Sequence, residues 1–168
     1  VPDKTPFTIY EEKLPRSALE RELRNRGLCI VKRVPSYKIS YPNVTIKTYN
    51  YTDENKRKVI RTVYSTPYGD VYNVVEPAGF TTWTHEREFK SAEDYKKLLY
   101  IVNDAVITPN YDAIAKTVKD IGEDFIVRDS LGLEPMNSII LRFMGIDTFS
   151  FEWMDNRDEI IKLYNALV

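Results

Sequence analysis

The sequence predicts an α/β fold, because strand-like and helical patterns occupy different parts of one chain. Before Ser91, aromatic and β-branched residues alternate with polar ones, which is typical of strands with one buried face. After Ser91, apolar residues recur at a spacing of about four, as on one face of a helix, with one strand-like run between the helices. Together the two patterns predict a domain that contains both a sheet and packed helices.

Short elements alternate at the start of the chain. TPFTIYE is expected to be extended, because the residue before Pro6 is disfavoured in a helix. SALERELRNRG predicts an amphipathic helix with Leu19 and Leu23 on one face and Gly27 as its C-terminal cap. The run LCIVKRV, which follows directly, predicts the next strand.

Three further runs predict an antiparallel meander. They are VTIKTYNY, KRKVIRTVYST and GDVYNVVE, in which Tyr, Val and Thr alternate with charged residues. TDENK and PYGD, which separate these runs, carry the residues that tight turns require. We therefore assign residues 28–90 to a β-meander made of hairpins.

Helix signals dominate the second part of the chain. The sequence SAED predicts a capping box between Ser91 and Asp94 and a helix over residues 92–103. Asn110 can cap a second helix over YDAIAKTVKDIG, which Gly122 closes. A final helix, RDEIIKLYNALV, is expected to start behind Asp155 or Asn156.

The stretch FIVRDSLGLEP places polar residues between a strand and a helix that Pro135 opens. Such a junction is a common position for the mouth of a site. Arg128 is expected either to contact an anion or to form a buried ion pair. Asp129 and Ser130 are candidates for this site. The structural alternatives are that Asp129 accepts hydrogen bonds from loop amides and that Ser130 only turns the chain.

Composition limits the classes of partner. The 24 basic residues nearly balance the 25 acidic ones, so no overall field favours nucleic acid or an anionic membrane. Neither a membrane-spanning apolar run nor a signal peptide is recognisable. Cys29 is flanked by apolar residues and is expected to be a small buried side chain. These features predict a soluble cytoplasmic protein.

The order of the motifs resembles the uroporphyrinogen decarboxylase superfamily. PDK and a proline precede the first apolar strand, EFKSAEDYKKL opens a helix, and LGLEPMNSIILRFMG follows a later strand. The resemblance extends from Pro2 to Leu167 and implies the N-terminal part of a TIM (β/α)8 barrel of uroporphyrinogen decarboxylase type, with the antiparallel β-meander inserted. Residues 1–168 are then one partial domain, in which 91–168 form a helix-strand-helix barrel segment.

A complete barrel needs ~250 residues, so the resemblance implies an N-terminal half that is inactive alone. The unpaired edge of its last strand is expected to pair with a second copy of the chain. The superfamily contains cofactor-free decarboxylases and zinc-dependent methyltransferases that pass a methyl group from a small donor to a corrinoid protein.

Two acidic residues decide which branch is expected. An arginine-rich loop would grip a polycarboxylate porphyrinogen, but Glu11 and Glu12 lie at that position, with only Lys13 and Arg16 to offset them. The resemblance therefore implies a methyltransferase, with the decarboxylase as the alternative. A third possibility is a non-enzymatic interaction module that binds through the tyrosines of the meander.

The expected site residues follow from these assignments. The catalytic residues are Glu11 and Asp129, and the substrate-binding residues are Tyr10, Glu12, Ser130 and Gly132. We expect no metal in this chain, because His85 and Cys29 have no ligand spacing, and His85 is expected on an exposed strand. By resemblance, zinc and a corrinoid belong to the full-length protein.

Overall fold

The computed structural model of the protein describes residues 7–123, 125–129 and 132–168. The chain forms two compact units. Unit 1 contains Val1–Lys38 and Ile107–Gly132, and unit 2 contains Ile39–Val106 and Leu133–Val168.

The described residues contain the following elements. The strands are β1 (Phe7–Tyr10), β2 (Leu28–Arg33), β3 (Tyr37–Ser40), β4 (Thr45–Thr52), β5 (Lys58–Thr66), β6 (Gly69–Ala78), β7 (Thr81–Glu86), β8 (Val106–Pro109) and β9 (Phe125–Arg128). The helices are α1 (Ala18–Asn25), α2 (Asp94–Asn103), α3 (Tyr111–Ile121), α4 (Pro135–Asn137), α5 (Ile146–Asp155) and α6 (Arg157–Leu167). A 3-10 turn covers Glu11–Lys13, and a π-helical segment covers Ser138–Met144.

Unit 1 is built on a parallel sheet with the strand order β1-β2-β9. Side chains alternate between the two faces of β2, so Leu28 and Ile30 are buried on one face. Cys29 lies between them, points to the opposite face and is exposed. The expectation of a buried cysteine is therefore wrong, because apolar sequence neighbours in a strand lie on the other side of the sheet.

Helix α1 begins and ends where the sequence predicts. The Ser17 hydroxyl accepts a hydrogen bond from the Glu20 N–H at 3.1 Å, and Gly27 has the positive φ of a C-terminal cap, 103°. Its buried side differs from the prediction, because Leu19 is 61% exposed while Glu20 is buried. Arg24 makes this burial tolerable through an ion pair of 2.6 Å with Glu20.

Unit 2 contains the predicted meander as a four-stranded antiparallel sheet in the order β4-β5-β6-β7. The first turn is held by the Asp53 carboxylate, which accepts hydrogen bonds from the Arg57 N–H at 2.8 Å and Nε at 2.7 Å. In the second turn, the Thr66 hydroxyl donates to the Gly69 carbonyl at 2.8 Å. Turn residues therefore define both predicted hairpins.

Helices supply most of the core of unit 2. The side chains of Leu98, Ile139, Phe143, Ile160 and Leu163 are almost completely buried. Val71 adds a contact from the meander to the same cluster. The core thus joins one face of the sheet to α2, α6 and the π-helical segment.

The predicted capping box at the start of α2 is half formed. The Asp94 carboxylate accepts from the Ser91 N–H at 3.2 Å, as expected, and also from the Lys90 N–H at 2.8 Å. The Asp94 N–H, however, donates to the Ser91 carbonyl at 2.9 Å in a turn. The helix consequently begins at Asp94, two residues after the predicted start.

The C-terminal helices follow the sequence signals in part. Helix α4 begins at Pro135, with the Glu134 side chain accepting from the Asn137 N–H at 3.3 Å. It continues as the π-helical segment and ends at Gly145, whose φ is 84°. Asn156 immediately precedes α6, which confirms that prediction, whereas α5 was not predicted.

The predicted barrel architecture is wrong. The described strands form three separate sheets and no closed barrel, and the sheet β1-β2-β9 is parallel. The largest sheet is the antiparallel meander. The fold of the described residues is mixed α/β, because strand pairing depends on long-range partners that a strand–helix pattern does not specify.

Candidate functional site

Polar side chains gather at the carboxyl ends of β1, β2 and β9 in unit 1. The strands are parallel, so their carboxyl ends lie at one edge of the sheet, where open α/β sheets commonly bind ligands. We refer to the following residues as the strand-end site: Tyr10, Glu11, Glu12, Arg16, Lys32, Arg33, Arg128 and Asp129. Four predicted site residues, Tyr10, Glu11, Glu12 and Asp129, are among them.

Glu11 is held by two cations. Its Oε2 lies 3.0 Å from Lys32 Nζ, and its Oε1 accepts a hydrogen bond from Arg16 at 3.1 Å. The bond to Lys32 lowers the pKa of the Glu11 carboxyl, and Arg16 adds to this effect against partial desolvation. Glu11 is therefore ionised at neutral pH, with both oxygens engaged.

Glu12 forms a second ion pair, with Arg33 at the end of β2. The hydrogen bond from Arg33 lowers the pKa of Glu12, and the same bond raises the pKa of Arg33. The Arg33 guanidinium also lies over the Tyr10 ring, 4.3 Å from its centre. The Arg33 guanidinium thus interacts with both a carboxylate and an aromatic ring.

Arg128 occupies a different electrostatic position. It is directly opposite Arg33 in the register of β2 and β9, so both side chains leave the same face of the sheet. Arg128 donates a hydrogen bond to the Tyr10 hydroxyl, which is a neutral group. It has no ion pair with any carboxylate of residues 7–123, 125–129 or 132–168.

Asp129 organises a loop at the same edge of the sheet. Its carboxylate accepts hydrogen bonds from the Ser36 N–H, at 3.0 Å, and from the Ser36 hydroxyl. Asn110 fixes the same loop, since its N–H donates to the Ser36 carbonyl at 2.7 Å and its Nδ2 donates to the Pro35 carbonyl at 2.9 Å. These bonds correspond to the structural alternative that the sequence left open for Asp129.

Gly132 and Ser130 complete the predicted set. Gly132 has a φ of 83°, and a Cβ at this position would lie 3.3 Å from the Tyr37 hydroxyl. A glycine therefore suits both the backbone conformation and the close approach of Tyr37. Ser130 lies outside the described residues.

The sequence did not indicate Lys32 and Arg33 as site residues. It left only Lys13 and Arg16 to offset Glu11 and Glu12, whereas the structure adds Lys32 and Arg33. The missing information was the register of the parallel strands, which brings the end of β2 beside the end of β1. The one local signal was the pair of cations that ends the strand LCIVKR.

His85 was expected to be an exposed histidine on a strand. It lies in β7 of unit 2 and is exposed, which confirms that prediction. Its ring is part of a chain of hydrogen bonds. Its Nε2 lies 2.8 Å from Glu76 Oε2, and its Nδ1 lies 3.1 Å from an Arg57 nitrogen. Because arginine only donates, Nδ1 accepts and Nε2 carries the proton that is donated to Glu76. Within the described ranges, no three His, Cys, Asp or Glu side chains are grouped as metal ligands.

Unit 2 also contains an open cavity of about 460 Å³ between the end of β7 and the start of α5. Arg87 and Lys90 line it, but both are engaged by backbone carbonyls. Arg87 donates to Leu141, and Lys90 donates to Tyr72 and Arg87. These two cations of the cavity are therefore already engaged within the protein.

No helix in the described part of the chain is both long and apolar enough to cross a bilayer. Comparisons of the chain with known protein families, with curated proteins and with solved structures found no match.

Proposed function

We propose that the strand-end site binds a small methyl donor, and that the protein is a uroporphyrinogen decarboxylase-like methyltransferase component that passes the methyl group to a corrinoid protein. The observation that carries this proposal is the convergence of Tyr10, Glu11 and Glu12 with Asp129 at one sheet edge, although Asp129 is far from the other three in the chain. The order of the sequence motifs supplies the chemistry. The proposal includes a cytoplasmic location.

The roles of the residues follow from their bonds. Tyr10 and Arg128 form the part of the site with free hydrogen-bonding capacity, and we assign them to donor binding. Glu11 and Asp129 have both carboxylate oxygens engaged, so we assign them to holding Lys32 and the Ser36 loop in position. Glu12 fixes Arg33 over the Tyr10 ring.

The charge of the site favours a small donor over a porphyrinogen. Arg16 and Lys32 pair with Glu11, and Arg33 pairs with Glu12, so these three cations of the strand-end site are already engaged by carboxylates. A polycarboxylate would need several unpaired cations. The decarboxylase is therefore the alternative outcome of the test.

Zinc, which the resemblance implies for the full-length protein, does not fit the described residues. His85 lies in unit 2 and Cys29 lies in unit 1, and neither belongs to a group of three ligand side chains. We assign no step of the reaction to a metal held by these residues.

The experiment uses the natural-length polypeptide. It is incubated with free cob(I)alamin and a panel of methyl ethers, methylamines and methyl thioethers, and methylcobalamin formation is followed spectroscopically. We expect transfer from at least one donor class and about one tightly bound zinc ion per chain after dialysis. Carbon dioxide release from uroporphyrinogen without methyl transfer would instead support the decarboxylase.

A second candidate is an interaction module that uses the meander. Trp83, Tyr49 and Tyr51 are 66%, 51% and 41% exposed, and such aromatic residues are enriched at protein interfaces. Replacement of Trp83 by Ala should then abolish binding of a partner protein, whereas replacement of Arg128 should not. If both reactions above fail and only Trp83→Ala removes a partner, this candidate replaces the methyltransferase.

A further inference from the structure

The strand-end site contains a cation, Arg128, that forms no ion pair with a carboxylate of the described residues. Arg16 and Lys32 pair with Glu11, and Arg33 pairs with Glu12. Arg128 alone among these four has no carboxylate partner in the described ranges, and its side chain is exposed. Arg128 is therefore the cation of this set that is open to an anionic ligand.

Arg128 lies next to a second cation of the sheet. Strand register places it beside Arg33, so two guanidinium groups leave the same sheet face from neighbouring strands. Glu12 neutralises Arg33 but makes no ion pair with Arg128. An anion bound at Arg128 would give this guanidinium a charged partner of its own.

Tyr10 shapes the space next to this cation. Its hydroxyl accepts a hydrogen bond from Arg128, which leaves the phenolic proton for a further acceptor. A carboxylate can accept from a guanidinium N–H and from a phenol O–H at the same time, and the remaining Arg128 N–H groups form a fork that matches its two oxygens. The ring of Tyr10 is held in place by Arg33 at 4.3 Å.

We infer that Arg128 and Tyr10 form a subsite for a single carboxylate of the substrate, so that the methyl donor is a carboxylic acid. This inference rests on the proposed function for its substrate, but the subsite itself is defined by the geometry at Tyr10 and Arg128. The carboxylate anchors the donor and takes no part in bond making.

The first experiment measures binding and does not depend on methyl transfer. Acetate and benzoate are titrated by calorimetry into the natural-length polypeptide, with benzamide as the uncharged counterpart of benzoate. We expect Arg128→Met to weaken benzoate binding by about 10- to 100-fold, since a hydrogen-bonded charge contributes this much to affinity. Arg128→Lys should restore only part of the loss, because an ammonium lacks the planar fork.

Control variants distinguish a specific contact of Arg128 with the carboxylate from a general effect of removing a positive charge. Arg26→Met removes an exposed cation of the same unit, which pairs with Glu22, and should leave benzoate binding unchanged. Tyr10→Phe keeps the ring and removes the hydroxyl, so it should weaken benzoate binding less than Arg128→Met does. Circular dichroism and the thermal midpoint verify that each variant is folded.

The second experiment uses donors that differ by one carboxylate, namely methoxybenzoate and anisole, with cob(I)alamin as the acceptor. We expect Arg128→Met to raise KM for methoxybenzoate by about 10- to 100-fold, with little change in kcat or in the rate with anisole.

The two proposals fail in different ways. Benzoate binding that requires Arg128, without any methyl transfer, would overturn the proposed function and keep the carboxylate subsite. Methyl transfer with equal use of methoxybenzoate and anisole, unaffected by Arg128→Met, would overturn the subsite and keep the function. A wild-type protein that binds neither acetate nor benzoate also overturns the subsite.

Discussion

At the scale of single residues, carboxylates organise the backbone in both units. Asp129 binds the Ser36 N–H in unit 1, and Asp104 accepts from the Asn43 and Val44 N–H groups at 2.9 and 3.1 Å in unit 2. Asp94 is the most buried of the three and accepts hydrogen bonds from three donors, one of them the cation of Lys97. A buried ionised carboxylate is stable only when such donors offset its lost hydration.

Replacement of Asp94 by Asn is expected to destabilise the protein by about 2 kcal/mol, because a charged acceptor of several hydrogen bonds is lost. Asp94 is 5% exposed and accepts from Lys97 Nζ at 2.7 Å as well as from the Lys90 and Ser91 N–H groups. Urea unfolding at pH 7 measures the effect. Asp120→Asn, which removes an exposed pair with Lys116, is the control and should cost less than about 0.5 kcal/mol.

The contribution of Asp94 should also depend on pH. Burial alone would raise the pKa of Asp94, but Lys97 and the two backbone N–H groups outweigh it and lower the pKa. The stabilisation is therefore complete above the unfolded-state pKa of about 3.9 and is lost as pH falls from there through the lower folded-state pKa. A wild-type advantage over Asp94→Asn that stays constant from pH 6 to pH 2 would contradict this assignment.

At the scale of elements, local signals predicted the beginning and end of several helices. Ser17 and Asn156 precede α1 and α6, and turn residues at TDENK set the first hairpin. These signals work because a cap or a turn involves only neighbouring residues. The site residues Tyr10, Glu11, Glu12 and Asp129 were also predicted from local position, because each lies at the end of a predicted strand.

The remaining elements depend on distant partners. Sheet assignment failed because each strand can pair with several others, and nothing local to β2 specifies β1 and β9 as its neighbours. The π-helical segment and α5 were not predicted, since apolar periodicity does not register a change of helix type. Arg33 was missed as a site residue because its position beside Glu12 depends on the order of the strands, which the sequence did not specify.

A chain of hydrogen bonds through Asp53, Arg57, His85 and Glu76 links the β4-β5 turn of the meander to β6 and β7. We predict that His85, which is the single histidine of the chain, carries its proton on Nε2 at pH 8. Long-range nitrogen-15 NMR of the imidazole measures this directly. Detection of the Nδ1–H form in the wild type would show that the Arg57 contact does not exist in solution.

Two variants test the cause of this tautomer. Arg57→Met should allow a mixture of tautomers, because the donor to Nδ1 is removed. Arg61→Met is the matched control, since Arg61 lies over the Tyr72 ring at 3.7 Å and has no hydrogen bond to His85. An unchanged Nε2–H population in Arg57→Met would mean that Glu76 alone selects the tautomer.

At the scale of the whole molecule, each unit has buried residues of its own. Leu28, Ile30 and Val34 are buried in unit 1, whereas Leu98 and Ile160 are completely buried in the larger cluster of unit 2. Separate cores allow separate unfolding transitions, and a protein with two such cores need not unfold in one step. A core substitution in one unit can therefore reveal how strongly the units are coupled.

We predict that Leu98→Ala destabilises unit 2 by about 2–5 kcal/mol and leaves unit 1 nearly unaffected, because the cavity forms inside the core of unit 2. Both tryptophans, Trp83 and Trp153, lie in unit 2, so fluorescence during urea unfolding reports on that unit. Hydrogen exchange of the β2 amides reports on unit 1. Leu141→Ala, at a position that is 53% exposed, is the control and should shift neither measurement appreciably. If Leu98→Ala lowers the protection of β2 as much as that of β5, the two units unfold together, and the independence inferred from their separate cores is wrong.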